Sequence, residues 1–131
     1  MEYFLHSSLL LDLVIGTKEN RSKIEMQLQA LLAKNHKLST SSISLYDFFI
    51  SPQIKPESKK QIMEQIIILT DEIYSISTKE MNQGLKFVLE YSFPLNSAID
   101  LSICLNRNIN KILYTNTDFQ TQKLVASIRI I

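Results

Sequence analysis

Two hydrophobic rhythms alternate along this chain, and that alternation limits its fold more than any other feature. Short apolar runs of strand length lie at residues 2–6, 37–40, 73–76, 111–114 and 127–131. Between them, apolar residues recur every three or four positions, the signature of helices with one buried face. Ile24, Leu28, Leu31 and Leu32 follow this spacing and mark a helix from about Lys18 to Asn35. Strands that alternate with helices pair in parallel, because each helix returns the chain to the same end of the sheet. The expected fold is therefore α/β: a three-layer α/β/α sandwich around a central parallel sheet, with strands one, two and four in the middle.

Punctuation supports these boundaries. Ser7 or Ser8 is expected to cap a helix through Val14, and Gly16 to end it in the left-handed conformation. Ser41 or Ser42 should cap a helix holding Ile43, Leu45, Tyr46, Phe48 and Phe49, and Pro52 and Pro56 break the chain before the next. That next helix carries Ile62, Ile66 and Leu69 on one face. Ser77-Thr78-Lys79-Glu80 has capping-box spacing and opens a helix expected to turn Met81, Leu85, Val88 and Leu89 inward. From Pro94 to about Arg107 the pattern is apolar on nearly all sides, as in a helix buried between other elements. With only 2 glycines and 3 prolines, a turn-rich all-β fold is excluded.

A chain of 131 residues, 45% of them hydrophobic, forms one domain spanning 1–131 without a disulfide or metal staple. Fourteen Lys and Arg against 13 Asp and Glu leave a net charge of +1, which excludes a strongly basic nucleic-acid binder. Cys104, the only cysteine, reads as a small buried hydrophobe, so cysteine-based zinc sites are excluded. The apolar run from Tyr3 to Ile15 is interrupted by His6 and Asp12 and is too short for a membrane span. A soluble, cytoplasmic protein is expected.

In parallel α/β folds the working residues gather beyond the carboxyl ends of the strands. His6 and Ser7 follow the first strand, and Asp47 lies in the helix after the second. Ser97 and Asp100 sit one turn apart on the buried helix, and Thr115, Asn116 and Asp118 follow the fourth strand. Two readings of the carboxylates stand at this level. Asp47 can be a solvated helix residue, Asp118 a turn residue and Asp100 a first-turn anion favoured by the helix dipole. Alternatively, the three converge on a hard, oxygen-seeking cation such as Mg²⁺ or Mn²⁺. No Gly-x-Ser-x-Gly elbow and no phosphate-binding glycine loop is present, which argues against serine hydrolases and P-loop enzymes.

Four segments also carry a family resemblance. Residues 3–14 (YFLHSSLLLDLV) resemble the opening of PIN domains, and residues 38–49 the second PIN segment, whose acidic residue falls on Asp47. Residues 96–105 (NSAIDLSICL) are similar to the PIN Asp-Ala-Ile helix, and residues 112–119 (ILYTNTDF) to the closing strand and its loop. The resemblance implies a Mg²⁺- or Mn²⁺-dependent endoribonuclease, of the kind that serves as the toxin of a toxin–antitoxin pair. It implies metal ligation by Asp47 and Asp118, and RNA and an antitoxin protein as partners. Two departures stand out: His6 replaces the first expected aspartate, and Ser97 the third. Asp100, one turn beyond Ser97, can on helix geometry reach the same metal. Ser7, Ser97, Thr115 and Asn116 are candidates for orienting water or substrate, and His6 is counted with Asp47, Asp100 and Asp118 as a candidate catalytic residue.

These departures make a weak or inactive nuclease the expectation, and a catalytically inactive PIN-fold binding module the alternative. Tyr46, Phe48, Phe49, Ile50, Met63, Ile66, Ile67 and Ile68 offer more apolar surface than one helix pair can bury. A homodimer through residues 43–69 is expected from them.

Overall fold

Alternate side chains of the first strand enter two different cores. The computed structural model describes all 131 residues. They form β1 (Glu2–Leu5), α1 (Ser7–Ile15), α2 (Lys18–Ala33), β2 (Lys37–Ser41), α3 (Ser42–Phe49) and α4 (Pro56–Leu69). Then follow β3 (Glu72–Tyr74), α5 (Thr78–Tyr91), α6 (Leu95–Asn106), β4 (Lys111–Tyr114) and β5 (Ala126–Arg129). Tyr3 and Leu5 join Leu38 and Leu113 in a core covered by α1, α2, α3 and α4. Phe4 points the other way and joins Ile112, Tyr114 and the apolar side chains of α5 and α6. A strand buried on both faces is the requirement for a three-layer sandwich, and this sheet meets it.

The sheet order is β3-β2-β1-β4-β5, with every pair parallel. The three central strands are thus β2, β1 and β4, as the sequence pattern predicts. Tyr3 lies opposite Leu38 on one side and Lys111 on the other, so the carboxyl ends of all three strands open on one edge. No helix is long and apolar enough to cross a membrane.

Three local expectations are corrected. First, α1 is capped by His6, not by Ser7 or Ser8: its side chain accepts the backbone N–H of Ser8. Second, Gly16 is extended rather than left-handed, at φ −66° and ψ 171°. Glycine is needed there because a Cβ would fall 2.3 Å from the carbonyl oxygen of Asp12. Third, α5 turns Glu80, Gly84 and Phe87 inward, whereas Leu85 and Leu89 are 49% and 86% exposed. Gly84 lets α5 settle against the backbone of α6 at Ile99. Glu80 closes the capping box with Ser77 and pairs with Arg107 at 2.9 Å, joining the start of α5 to the end of α6.

Candidate functional site

The carboxyl edge is built by four elements that each contribute a polar side chain at a terminus. His6 follows β1 and caps α1, Ser41 ends β2, Ser97 lies in the first turn of α6, and the loop after β4 carries Asn116 and Asp118. A cleft of about 510 Å³ opens there, bounded by His6, Ser7, Asp47, Asn96, Asn116 and Asp118 among others. Of the residues expected to act at this edge, the structure brings His6, Ser7, Asp47, Asn116 and Asp118 together, with Ser97 behind them. Thr115 is buried beside the cleft, and its backbone N–H bonds Ser8.

Three hydrogen-bond systems hold the edge. In the first, the Thr115 N–H donates to Ser8 Oγ at 3.1 Å, and Ser8 Oγ lies 2.9 Å from His6 Nδ1. His6 Nδ1 also accepts the Ser8 backbone N–H at 3.3 Å, so this nitrogen carries the lone pair and Nε2 carries the proton. His6 Nε2 then donates to Ser97 Oγ at 3.0 Å, and the Ser97 hydroxyl donates to Asp118 Oδ2. Phe119 stands edge-on to the imidazole, with ring centroids 4.9 Å apart. His6 is 1% exposed and Ser97 0%. Burial pushes the imidazole down from its ordinary 6.5 to about 4, against the opposing pull of Asp118, so His6 is neutral near pH 7.

The second system holds Asp47, whose Oδ2 accepts from the Asn96 side-chain amide and from Ser7 Oγ at 3.5 Å. The third encloses Asp100. Its two carboxylate oxygens accept the hydroxyls of Ser41 and Ser44, each at 2.5 Å. Those serines in turn accept backbone N–H groups, Ser41 from Ser44 at 3.0 Å and Ser44 from Ser7 at 3.1 Å. Asp100 is 0% exposed, and burial raises its carboxyl from 3.8 to about 7 although the two hydroxyls pull it down.

The expectation that Asp47, Asp100 and Asp118 share one cation is therefore corrected. Asp100 faces β2 and α3, not the cleft, and both of its oxygens are occupied by serines. No three His, Cys, Asp or Glu side chains stand together as a metal-holding group. Only Asp47 and Asp118 present carboxylates to the cleft, and His6 has no nitrogen lone pair to spare. Two carboxylates can anchor one Mg²⁺ or Mn²⁺ ion that keeps its waters, but they carry half the charge of the four aspartates that the PIN resemblance implies. A serine-nucleophile reading fails as well, because the imidazole donates to Ser97 and cannot take its proton.

Sequence reasoning missed Ser8, Ser41, Ser44 and Asn96 as parts of this edge. The signal was present as a run of hydroxyls from Ser39 to Ser44 at a buried strand end, read only as helix capping. Asn116 accepts the Asp118 N–H at 3.1 Å and so shapes the loop that presents Asp118.

The same arrangement of strands and helices occurs in solved proteins. VapBC2 from Rickettsia felis, solved bound to a DNA fragment from the promoter, superposes with a TM-score of 0.75 over 98% of each chain at 19% identity. The chain has the PIN-domain fold. VapBC-1 from nontypeable Haemophilus influenzae matches this PIN fold with a TM-score of 0.74, again over 98% of each chain, at 17% identity. Mycobacterium tuberculosis VapC20, a toxin that cleaves the sarcin–ricin loop, matches with a TM-score of 0.72 and 13% identity, covering 90% of this chain and 92% of that one. No protein-family model and no curated protein matches the sequence. The likeness is one of PIN fold, over the whole chain.

Proposed function

We propose that this chain is a toxin-type PIN protein that acts as a binding module for an antitoxin-type protein partner, with metal-dependent RNA cleavage lost. The observation that carries this reading is the pairing of His6 with Ser97, which fills two positions where the PIN resemblance implies aspartates. Asp47 and Asp118 remain in the cleft and form no ion pair within the chain. Two carboxylates without a counter-ion suit a basic side chain of a partner protein better than a phosphodiester. An apolar groove of about 450 Å³ between α1, α2 and α4, lined by Leu13, Leu28, Leu32, Ile62 and Leu69, offers such a partner a second point of attachment.

The module works as a cytoplasmic homodimer through residues 43–69. Phe48 and Ile66 are spent in the core, while Tyr46, Phe49, Ile50, Ile67 and Ile68 are between 46% and 84% exposed. Light scattering should give a dimer, and Ile68→Glu a monomer of unchanged circular dichroism. A monomeric parent chain refutes that assembly.

A second reading, a weak Mg²⁺- or Mn²⁺-dependent endoribonuclease, is favoured by Asp47, Asn96, Asn116 and Asp118 lining one cleft beside Ser51 and Pro52. Lys55, Lys59 and Lys60 follow those residues in the chain and suit an RNA backbone. Cleavage of single-stranded RNA in Mg²⁺ and in Mn²⁺ separates the readings, with Asp47→Asn as control. The binding-module reading expects no metal-dependent cleavage above that control, and salt-sensitive binding of an arginine-bearing peptide that Asp47→Asn weakens. Metal-dependent cleavage that Asp47→Asn abolishes establishes the second reading instead.

A further inference from the structure

We infer that His6 and Ser97 are a mutually dependent pair that ties the carboxyl edge together without a metal ion. The inference rests on the PIN reading of this edge, because that reading says where a metal would otherwise sit. Two backbone donors at one end and the Asp118 carboxylate at the other set the direction of the tie. Ser8 Oγ accepts from the Thr115 N–H and keeps its own proton free for His6 Nδ1. Nδ1 is closed by that proton and by the Ser8 N–H, which leaves Nε2 as a donor to Ser97 Oγ. Ser97 can then only donate onward, to Asp118. The tie thus runs one way from the start of the loop after β4 through α1, the end of β1 and α6, and back to that loop at Asp118, and joins every segment that would hold a shared cation except α3 with Asp47.

Neither member suits the edge without the other. An aspartate at position 6 alone would stand near Asp100, whose Oδ2 is 4.0 Å from His6 Nε2, and would leave Ser97 without its donor. An aspartate at position 97 alone would push against Asp118, which Ser97 now bonds. Both together would put four carboxylates, at positions 6, 47, 97 and 118, along one edge. Like charges at such spacing repel unless a cation neutralises them. On this inference the parent edge needs no ion to relieve such repulsion, whereas the doubly substituted edge would.

The test is thermal unfolding in EDTA and in millimolar Mn²⁺ at matched ionic strength. It compares the parent, His6→Asp, Ser97→Asp and the double variant. The parent midpoint should be the same in both solutions. The double variant should melt lower in EDTA and gain ~5 °C or more from Mn²⁺, as expected when an ion binds only the folded state. A Mn²⁺ shift in the parent overturns the inference and leaves the PIN site standing. A folded double variant that ignores Mn²⁺ overturns the PIN reading of this edge, and the inference with it. Should the acidic variants fail to fold, His6→Phe, Ser97→Ala and their combination supply the same decision. The double variant should lose clearly less in midpoint than the sum of the singles, and additivity overturns the pair. Nitrogen chemical shifts of His6 should report a proton on Nε2 and a lone pair on Nδ1 at neutral pH, and the opposite tautomer overturns it.

Discussion

Two buried groups of this edge should cancel each other in the pH dependence of stability, so that removing one uncovers the other. His6 binds its proton at about 4 when folded, below its ordinary 6.5. As pH falls through 6.5 the unfolded chain takes up a proton that the folded protein refuses, and stability is lost until pH 4. That window is about 2.5 pH units, and at ~1.4 kcal/mol per unit it amounts to ~3 kcal/mol. Asp100 has the opposite sign. Its folded value of about 7 lies above its ordinary 3.8, so the folded protein takes up the proton first and gains stability as pH falls from 7 to 3.8. About 3.2 units correspond to ~4 kcal/mol. Both side chains are at most 1% exposed, so solvent screening does not reduce either effect.

Across the shared window, pH 6.5 to 4, the two slopes oppose and the parent profile should be nearly level. Asp100→Asn keeps the shape but removes the titration, so stability should fall by ~3 kcal/mol between pH 6.5 and 4. His6→Gln should do the reverse and rise by a similar amount toward acid. Urea midpoints followed by circular dichroism at constant ionic strength measure both. The difference from the parent cancels every other carboxylate. Profiles of Asp100→Asn and parent that run parallel would refute the reasoning.

Two further substitutions test the packing that positions the edge. Gly84→Ala should destabilise by ~1–2 kcal/mol, because a Cβ there meets Ile99 Cγ1 at 2.9 Å and its Cα and N at 3.1 and 3.2 Å. Those backbone atoms cannot rotate away, and overpacking of ~1–3 kcal/mol outweighs the ~1 kcal/mol gain in helix propensity; a raised urea midpoint would refute this. Ser39→Ala should stabilise by ~1 kcal/mol, since Ser39 Oγ is buried without a hydrogen-bond partner. A lowered melting midpoint would show that this hydroxyl has a partner.

What was legible in the sequence followed from burial on two faces. Tyr3, Phe4 and Leu5 can all be apolar only if the sheet is covered on both sides, which agrees with the layers that the alternation of strands and helices gave. The inner face of α5 was not legible in the same way. Periodicity counts apolar residues, whereas this face is set by Gly84, chosen for closeness, and by Glu80, made buriable by Arg107. Leu85 and Leu89 match the period and still face outward.

The edge shows the same division. Strand ends and helix starts placed His6, Asp47, Ser97 and Asp118 on one side of the sheet, because topology alone determines that much. The direction of Asp100 was not determined by topology. Three residues along a helix advance the side chain by about 300°, so Asp100 points about 60° away from Ser97. That rotation is enough to carry a carboxylate out of the cleft and into the hydroxyls of Ser41 and Ser44. Partnership across 91 positions of chain is likewise invisible when each residue is weighed alone. Judged singly, His6 and Ser97 each remove a negative charge and a hard oxygen donor. Judged together, they add a proton donor and a hydroxyl that relays it to Asp118, so the edge loses the repulsion a cation would have to relieve.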